Sequence, residues 1–142
     1  MRLDATLFAY VVLTGLVLVR LWEWADPTPL PGGDCRVGHV YDGDTVELVC
    51  PGQTEAARLI GIDTPELDGA CAAERAAAQA AKAALAALVK AAREVTVGVE
   101  GQDRYGRPLV HLRLDGIDAA LAMLKAGHGR PYDGGRRAGW CG

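Results

Sequence analysis

Three short stretches carry the residues able to do chemistry: "YDGDTVEL" (41–48), "RLIGIDTPE" (58–66) and "DRYGR" (103–107). Asp44 and Asp63 are hard oxygen donors of the kind that hold Ca2+ or Mg2+, and nothing here suits a soft-ligand metal. Glu66 lies past Asp63 across a turn fixed by Pro65, near enough to orient or deprotonate a water beside a cation. Arg58 and Arg107 supply guanidiniums, whose forked donors match phosphate oxygens. A divalent cation, a carboxylate beside water and two arginines are the parts of a phosphoryl-transfer site, because they neutralise the charge that grows on a five-coordinate phosphorus. Taken singly, each stretch has a plainer explanation: a hairpin turn, a capped strand end, a solvated loop. Their combination points to chemistry.

Such residues need a scaffold. "CRVGHVY" and "TVELVC" read as strands joined by Asp42-Gly43-Asp44, a strong hairpin signal. Pairing about Gly43 brings Cys35 and Cys50 close to opposite positions. A Cys35–Cys50 bridge, with Cys71–Cys141 as the second, is therefore the first expectation; the other two connectivities stay open. The four cysteines lack CxxC spacing, so disulfides in an oxidising compartment fit them better than zinc, with buried free thiols as the alternative. After "PGQTE", a third strand runs through "AARLIGI" and stops at Asp63-Thr64-Pro65. Residues 71–94 form a helix on alanine propensity, with Leu85, Leu88 and Val89 on its apolar face. "VTVGV" and "PLVHLRL" are strands four and five. "DGIDAALAMLKAG" gives a turn and a helix capped by Asp118 and stopped by Gly127; the tail after it reads as irregular. Three strands, a helix, two strands and a helix suit an α+β fold: a five-stranded OB-type barrel with helices packed at one end.

The N-terminus reads separately. Residues 5–19 carry no charge and are followed by Arg20, Trp22 and Trp24, which suit snorkelling and an interfacial belt. Residues 1–25 are thus expected to be a single membrane-spanning anchor, with a cleaved signal peptide as the rival. Residues 26–34 are a Pro/Gly linker and 35–142 the folded domain. Such an arrangement puts the domain on the periplasmic or extracellular side, or secretes it if the N-terminus is cleaved. A net charge of -3 argues against gripping nucleic acid by bulk positive charge, so any nucleic-acid chemistry is local.

The motifs "DGDTVEL", "RLIGIDTPE" and "DRYGR", in that order, resemble those of the staphylococcal nuclease (thermonuclease) family, across roughly residues 36–127. The resemblance implies an OB barrel that cleaves DNA and RNA with Ca2+, Mg2+ being a weaker substitute. By position it implies Asp44 and Asp63 as metal carboxylates and Thr64 as the donor of a backbone carbonyl. Arg58 and Arg107 would bind phosphate and stabilise the transition state, and Glu66 would activate or position water. Asp42 would stand behind the metal carboxylates, Arg104 and Tyr105 would contact nucleotide phosphate and base, and Tyr132 would replace a stacking tyrosine. This acidic chain departs from the family's basic type member, which implies weaker and more salt-sensitive substrate capture. A different class of function, a non-catalytic tethered barrel that holds nucleic acid or a protein, needs no Arg58–Glu66–Arg107 set; at 6% of the chain, aromatics are few for a stacking platform.

Overall fold

The computed structural model describes residues 10–18 and 35–142. Residues 10–18 are helical and exposed (α1). The remainder of the expected anchor, and the linker at 26–34, lie outside the described residues. Among the described residues no helix is long and apolar enough to cross a membrane.

The domain runs β1 (Arg36–Val40), β2 (Thr45–Cys50), β3 (Gln53–Leu59), β4 (Gly61–Asp63), α2 (Ala72–Ala91), β5 (Val95–Gln102), β6 (Pro108–Leu114), β7 (Ile117–Asp118), α3 (Ala119–Lys125) and β8 (Arg130–Tyr132). The main sheet has the order β1-β2-β3-β6-β5, with β7 added to β6 and β4-β8 forming a separate pair. Only the β3–β6 pairing is parallel among these, with Arg58 opposite Leu109. The result is a mixed sheet curled into a half-barrel. With its helices, this half-barrel is consistent with the expected OB-type α+β fold; among the described residues β1 and β5 form no ladder with each other.

The third strand also differs from expectation. It begins earlier, at Gln53, because Pro51-Gly52 makes a tight turn and Cys50 pairs with Gln53. It then breaks before Gly61, whose φ of 84° turns the chain out of the sheet. The segment beyond, β4, pairs with β8, a strand inside the tail that the sequence pattern left irregular.

Alternation along the strands fills the core: Val46 and Leu48 of β2, Ala57 and Leu59 of β3, and Val110, Leu112 and Leu114 of β6 point inward. Helix α2 lays Ala81 and Leu85 on that core, and small alanines allow its close approach. Asp118 caps α3 as expected, its Oδ1 accepting from Leu121 N at 2.9 Å. Both bridges form, Cys35–Cys50 across the first hairpin and Cys71–Cys141 from the start of α2 to the tail.

Candidate phosphate-binding and cation site

Asp44 sits where the first hairpin turn meets β2. Asp42 builds that turn: its Oδ1 accepts the Asp44 N–H at 3.0 Å. Gly43 is required for packing, since a Cβ there would stand 2.7 Å from Ala81 Cβ and 2.9 Å from Thr64 Cβ. The turn is thus pressed between α2 and Thr64. The buried Asp44 carboxylate accepts from Thr45 Oγ1 and Arg58 Nη1, both at 3.0 Å, and from the Thr64 N–H at 3.2 Å. Burial, helped by Asp42, raises its carboxyl to about 6 against the pull of Arg58 and of the hydrogen bonds from Thr45 and Thr64.

Arg58 lies near the end of β3, opposite Thr45. Being only 6% exposed, its guanidinium faces carboxylates more than solvent. It reaches Asp44, the Ile62 carbonyl at 3.4 Å, and comes within 3.9 Å of Asp63 Oδ1. Asp63, fully buried, ends β4 opposite Arg130 of β8, which donates to its Oδ2 through Nε at 3.1 Å and Nη2 at 2.9 Å. Asp63 Oδ1 accepts no aligned hydrogen bond. Arg137 Nε stands 3.1 Å from it, close enough to pair by charge but not directed as a donor. A buried carboxylate oxygen without a hydrogen bond is unusual. It and the Asp44 carboxylate are hard oxygen donors of the kind that Ca2+ or Mg2+ takes. Asp44, Asp63 and Glu66 do not converge as three carboxylates. Among the described residues the tight cluster of ligand-type atoms is Cys71, Glu74 and Cys141, and its cysteines are bridged to each other.

Glu66 is half-exposed, with its Oε1 against Arg137 Nη1. Its backbone N–H points to Glu74 Oε1 at 3.5 Å, so the buried Glu74 helps to set this turn.

Arg107 and its neighbours are built differently. They sit in the β5–β6 loop, closed by Asp103 N–H to the Arg107 carbonyl at 2.9 Å. Asp103 accepts from Tyr105 N, Arg107 N and Arg107 Nε. Burial pushes the Asp103 carboxyl up, but these hydrogen bonds and the Arg107 charge outweigh it and hold it below its ordinary value. Arg107 therefore pairs with Asp103 and does not touch the Asp44–Asp63 group. What unites the two clusters is a cavity of about 700 Å³. Arg58, Arg104, Arg107, Arg136 and Arg137 line it. Tyr105 and Tyr132 also line it, the Tyr132 ring lying 5.8 Å from the Arg58 guanidinium carbon and 5.7 Å from that of Arg137.

The structure thus gathers Asp42, Asp44, Arg58, Asp63 and Thr64 into one buried cluster. Glu66 joins it through Arg137, the Tyr132 ring lies beside Arg58, and Arg104, Tyr105 and Arg107 line the same cavity from the β5–β6 loop. Sequence reasoning missed Arg130, Arg136, Arg137 and Glu74. The signal for the arginines was their density beside Cys141, the cysteine expected to bridge back to Cys71 just after Glu66.

A curled mixed sheet and helices, with an arginine-lined cavity whose Arg58 and Arg137 reach back to the buried Asp44 and Asp63, define a small α+β domain with a basic pocket. The model of the family described as staphylococcal nuclease homologue matches residues 56–137, more than half of the chain, and the chain belongs to that family. It is also similar to an uncharacterized protein of Bacillus anthracis, at 30% identity over 96 residues. That match covers 66% of this chain but 45% of the relative, so the chain spans less than half of the relative's length.

Proposed function

We propose that the chain is a Ca2+-dependent nuclease that hydrolyses phosphodiester bonds of DNA or RNA with little sequence preference. The observation that carries this reading is the juxtaposition of a buried acidic pair, one of whose oxygens accepts no hydrogen bond, with a cavity lined by five arginines. Asp44, Asp63 and the Thr64 carbonyl would hold the cation, with Asp42 bracing the turn behind them. Mg2+ would be a weaker substitute. When bound, such an ion polarises a phosphoryl oxygen and acidifies water. Arg58 and Arg107 face the phosphate from two sides of the cavity and offset the charge of its transition state. Glu66 orients the attacking water and takes its proton. Arg104 meets a flanking phosphate, and Tyr105 and Tyr132 offer faces for a base or sugar.

In this reading the curled sheet is an OB-type barrel. Residues 1–25 anchor it to a membrane, with the domain on the periplasmic or extracellular side, where two disulfides are stable. A second reading, a non-catalytic module that binds nucleic acid or a protein, draws on the pairing of Asp63 and Glu66 with arginines, which leaves them charge-balanced without a reaction.

The test is cleavage of single-stranded DNA by the oxidised 142-residue chain with Ca2+, with Mg2+ and with chelator. Glu66→Gln and Arg58→Ala should each lower turnover by at least about 100-fold while the chain stays folded. Binding of oligonucleotide without calcium-dependent cutting by the parent chain would instead select the binding-module reading.

A further inference from the structure

Residues 133–141 form a strap without regular secondary structure, and its residues 134–137 line the large cavity. From it Arg137 reaches two carboxylates at once. Its Nη1 meets Glu66 Oε1, and its Nε stands 3.1 Å from Asp63 Oδ1. It lines both the large cavity and a neighbouring one of about 240 Å³ that Glu66, Glu74 and Cys141 also line. Among the described residues Arg137 is the one side chain that bonds the Glu66 carboxylate. An exposed glutamate otherwise samples several rotamers, so this contact decides where its oxygen stands. Burial pulls the Arg137 pKa down, but Asp63, Glu66 and Asp44 outweigh it and raise the pKa above its ordinary value, as a guanidinium placed among acids requires.

A strap without a hydrogen-bond ladder of its own needs tethers, and it has several. Cys141 is bridged to Cys71, the N-cap of α2 and near neighbour of Glu66 in sequence. Arg130, besides holding Asp63, donates to the carbonyls of Ala138 and Gly139, and its guanidinium carbon lies 4.0 Å from the centre of the Trp140 ring. Tyr132 Oη donates to the Gly135 carbonyl at 2.8 Å. All of these converge on the segment that carries Arg137.

We propose that Arg137 is a positioning residue of the cleavage site, fixing Glu66 beside Asp63 with one guanidinium, and that the Cys71–Cys141 bridge keeps it there. The inference rests on the nuclease reading above. One planar guanidinium bonds Glu66 through Nη1 and lies against Asp63 by charge through Nε, a span that a lysine ammonium cannot reproduce.

The test is steady-state cleavage of a single-stranded oligonucleotide with Ca2+ by the 142-residue chain and by R137A, R137K, C71S/C141S and the C71S/C141S/R137A combination. Arg137 is partly exposed and outside the core, and a circular dichroism melt of each variant is the check that it folds. R137A is expected to lower kcat by about 10- to 100-fold, the scale of a misplaced reacting group, with KM changed less than about threefold. R137K should recover little. Loss of the bridge should lower kcat by a smaller factor, and the triple variant should be no slower than R137A, because the bridge acts through Arg137. If the cysteine variant does not fold, kcat of a C35S/C50S chain, in which Cys71–Cys141 is the remaining bridge, before and after titration with reductant gives the same comparison. Unchanged kcat in R137A overturns the proposal, as does a rise in KM alone, which would make Arg137 a substrate contact. Additive losses in the triple variant overturn the role of the bridge. A parent chain that never cuts removes the nuclease reading and this inference together; a cutting parent with full kcat in R137A removes this inference alone.

Discussion

Asp44 and Asp63 pose the residue-scale problem of buried carboxylates, and they solve it differently. Asp44 is satisfied by three hydrogen bonds, whereas Asp63 leans on guanidinium charge and leaves one oxygen without an aligned donor. The Asp44 carboxyl, raised from 3.8 to about 6, makes the folded chain bind more protons than the unfolded chain between those pH values. Stability should therefore rise as pH falls through 6 towards 4, and be lost as pH rises again. The span is at most about 3 kcal/mol. Urea unfolding in chelator at pH 4.5 and pH 7.5 measures it; Asp44→Asn should flatten the difference, and a parent chain more stable at pH 7.5 would contradict the assignment. These acids were legible because each lies in a local motif. Arg130 and Arg137 were not: their partners lie 67 and 71 residues away in sequence, a distance at which spacing carries no information about contact.

Among the elements, those with strong period-2 alternation or capping chemistry were readable, including β2, β6 and the Asp118-capped α3. The third strand was read as continuous because its apolar residues run on through Ile60 and Ile62. The backbone of Gly61 decides otherwise, and a glycine's φ cannot be read from its letter. Strand β8 has three residues, too few for a pattern; only its pairing with β4 defines it. The Asp42–Asp44 turn is where an element constrains the site. Gly43→Ala would place a methyl group 2.7 Å from Ala81 Cβ, so the turn must lift from α2, at a cost of about 1–3 kcal/mol. Because Asp44 hangs from that turn and takes the Thr64 N–H, turnover should fall with stability. Urea melts and cleavage assays check both, and the G43A/A81G pair should be more stable than the sum of the two single losses. Simple additivity would mean that Thr64, 2.9 Å from the same position, and not Ala81 sets the cost.

At the scale of the whole molecule, a net charge of -3 conceals a division of labour. Five arginines line one cavity, although Arg58, Arg107 and Arg137 are already paired with acids there. A partner carboxylate lowers the anion-attracting power of each pair, so few arginines are free to replace counterions on a nucleic-acid backbone. The net charge alone suggested strongly salt-sensitive capture, but counterion release counts phosphates contacted, and that count is set by the cavity. With two or three phosphates engaged, the plot of log binding constant against log salt for a single strand should have a slope of about -1.4 to -2. Titration of a fluorescent oligonucleotide against the Glu66→Gln chain in Ca2+, from low to physiological salt, gives that slope without turnover. Arg104→Ala, which removes an exposed guanidinium paired, among the described residues, with the Tyr105 hydroxyl and ring, should reduce its magnitude by about 0.7, one phosphate's share. A much steeper parent slope would place the strand on further basic surface, and the cavity would then not be the principal binding groove.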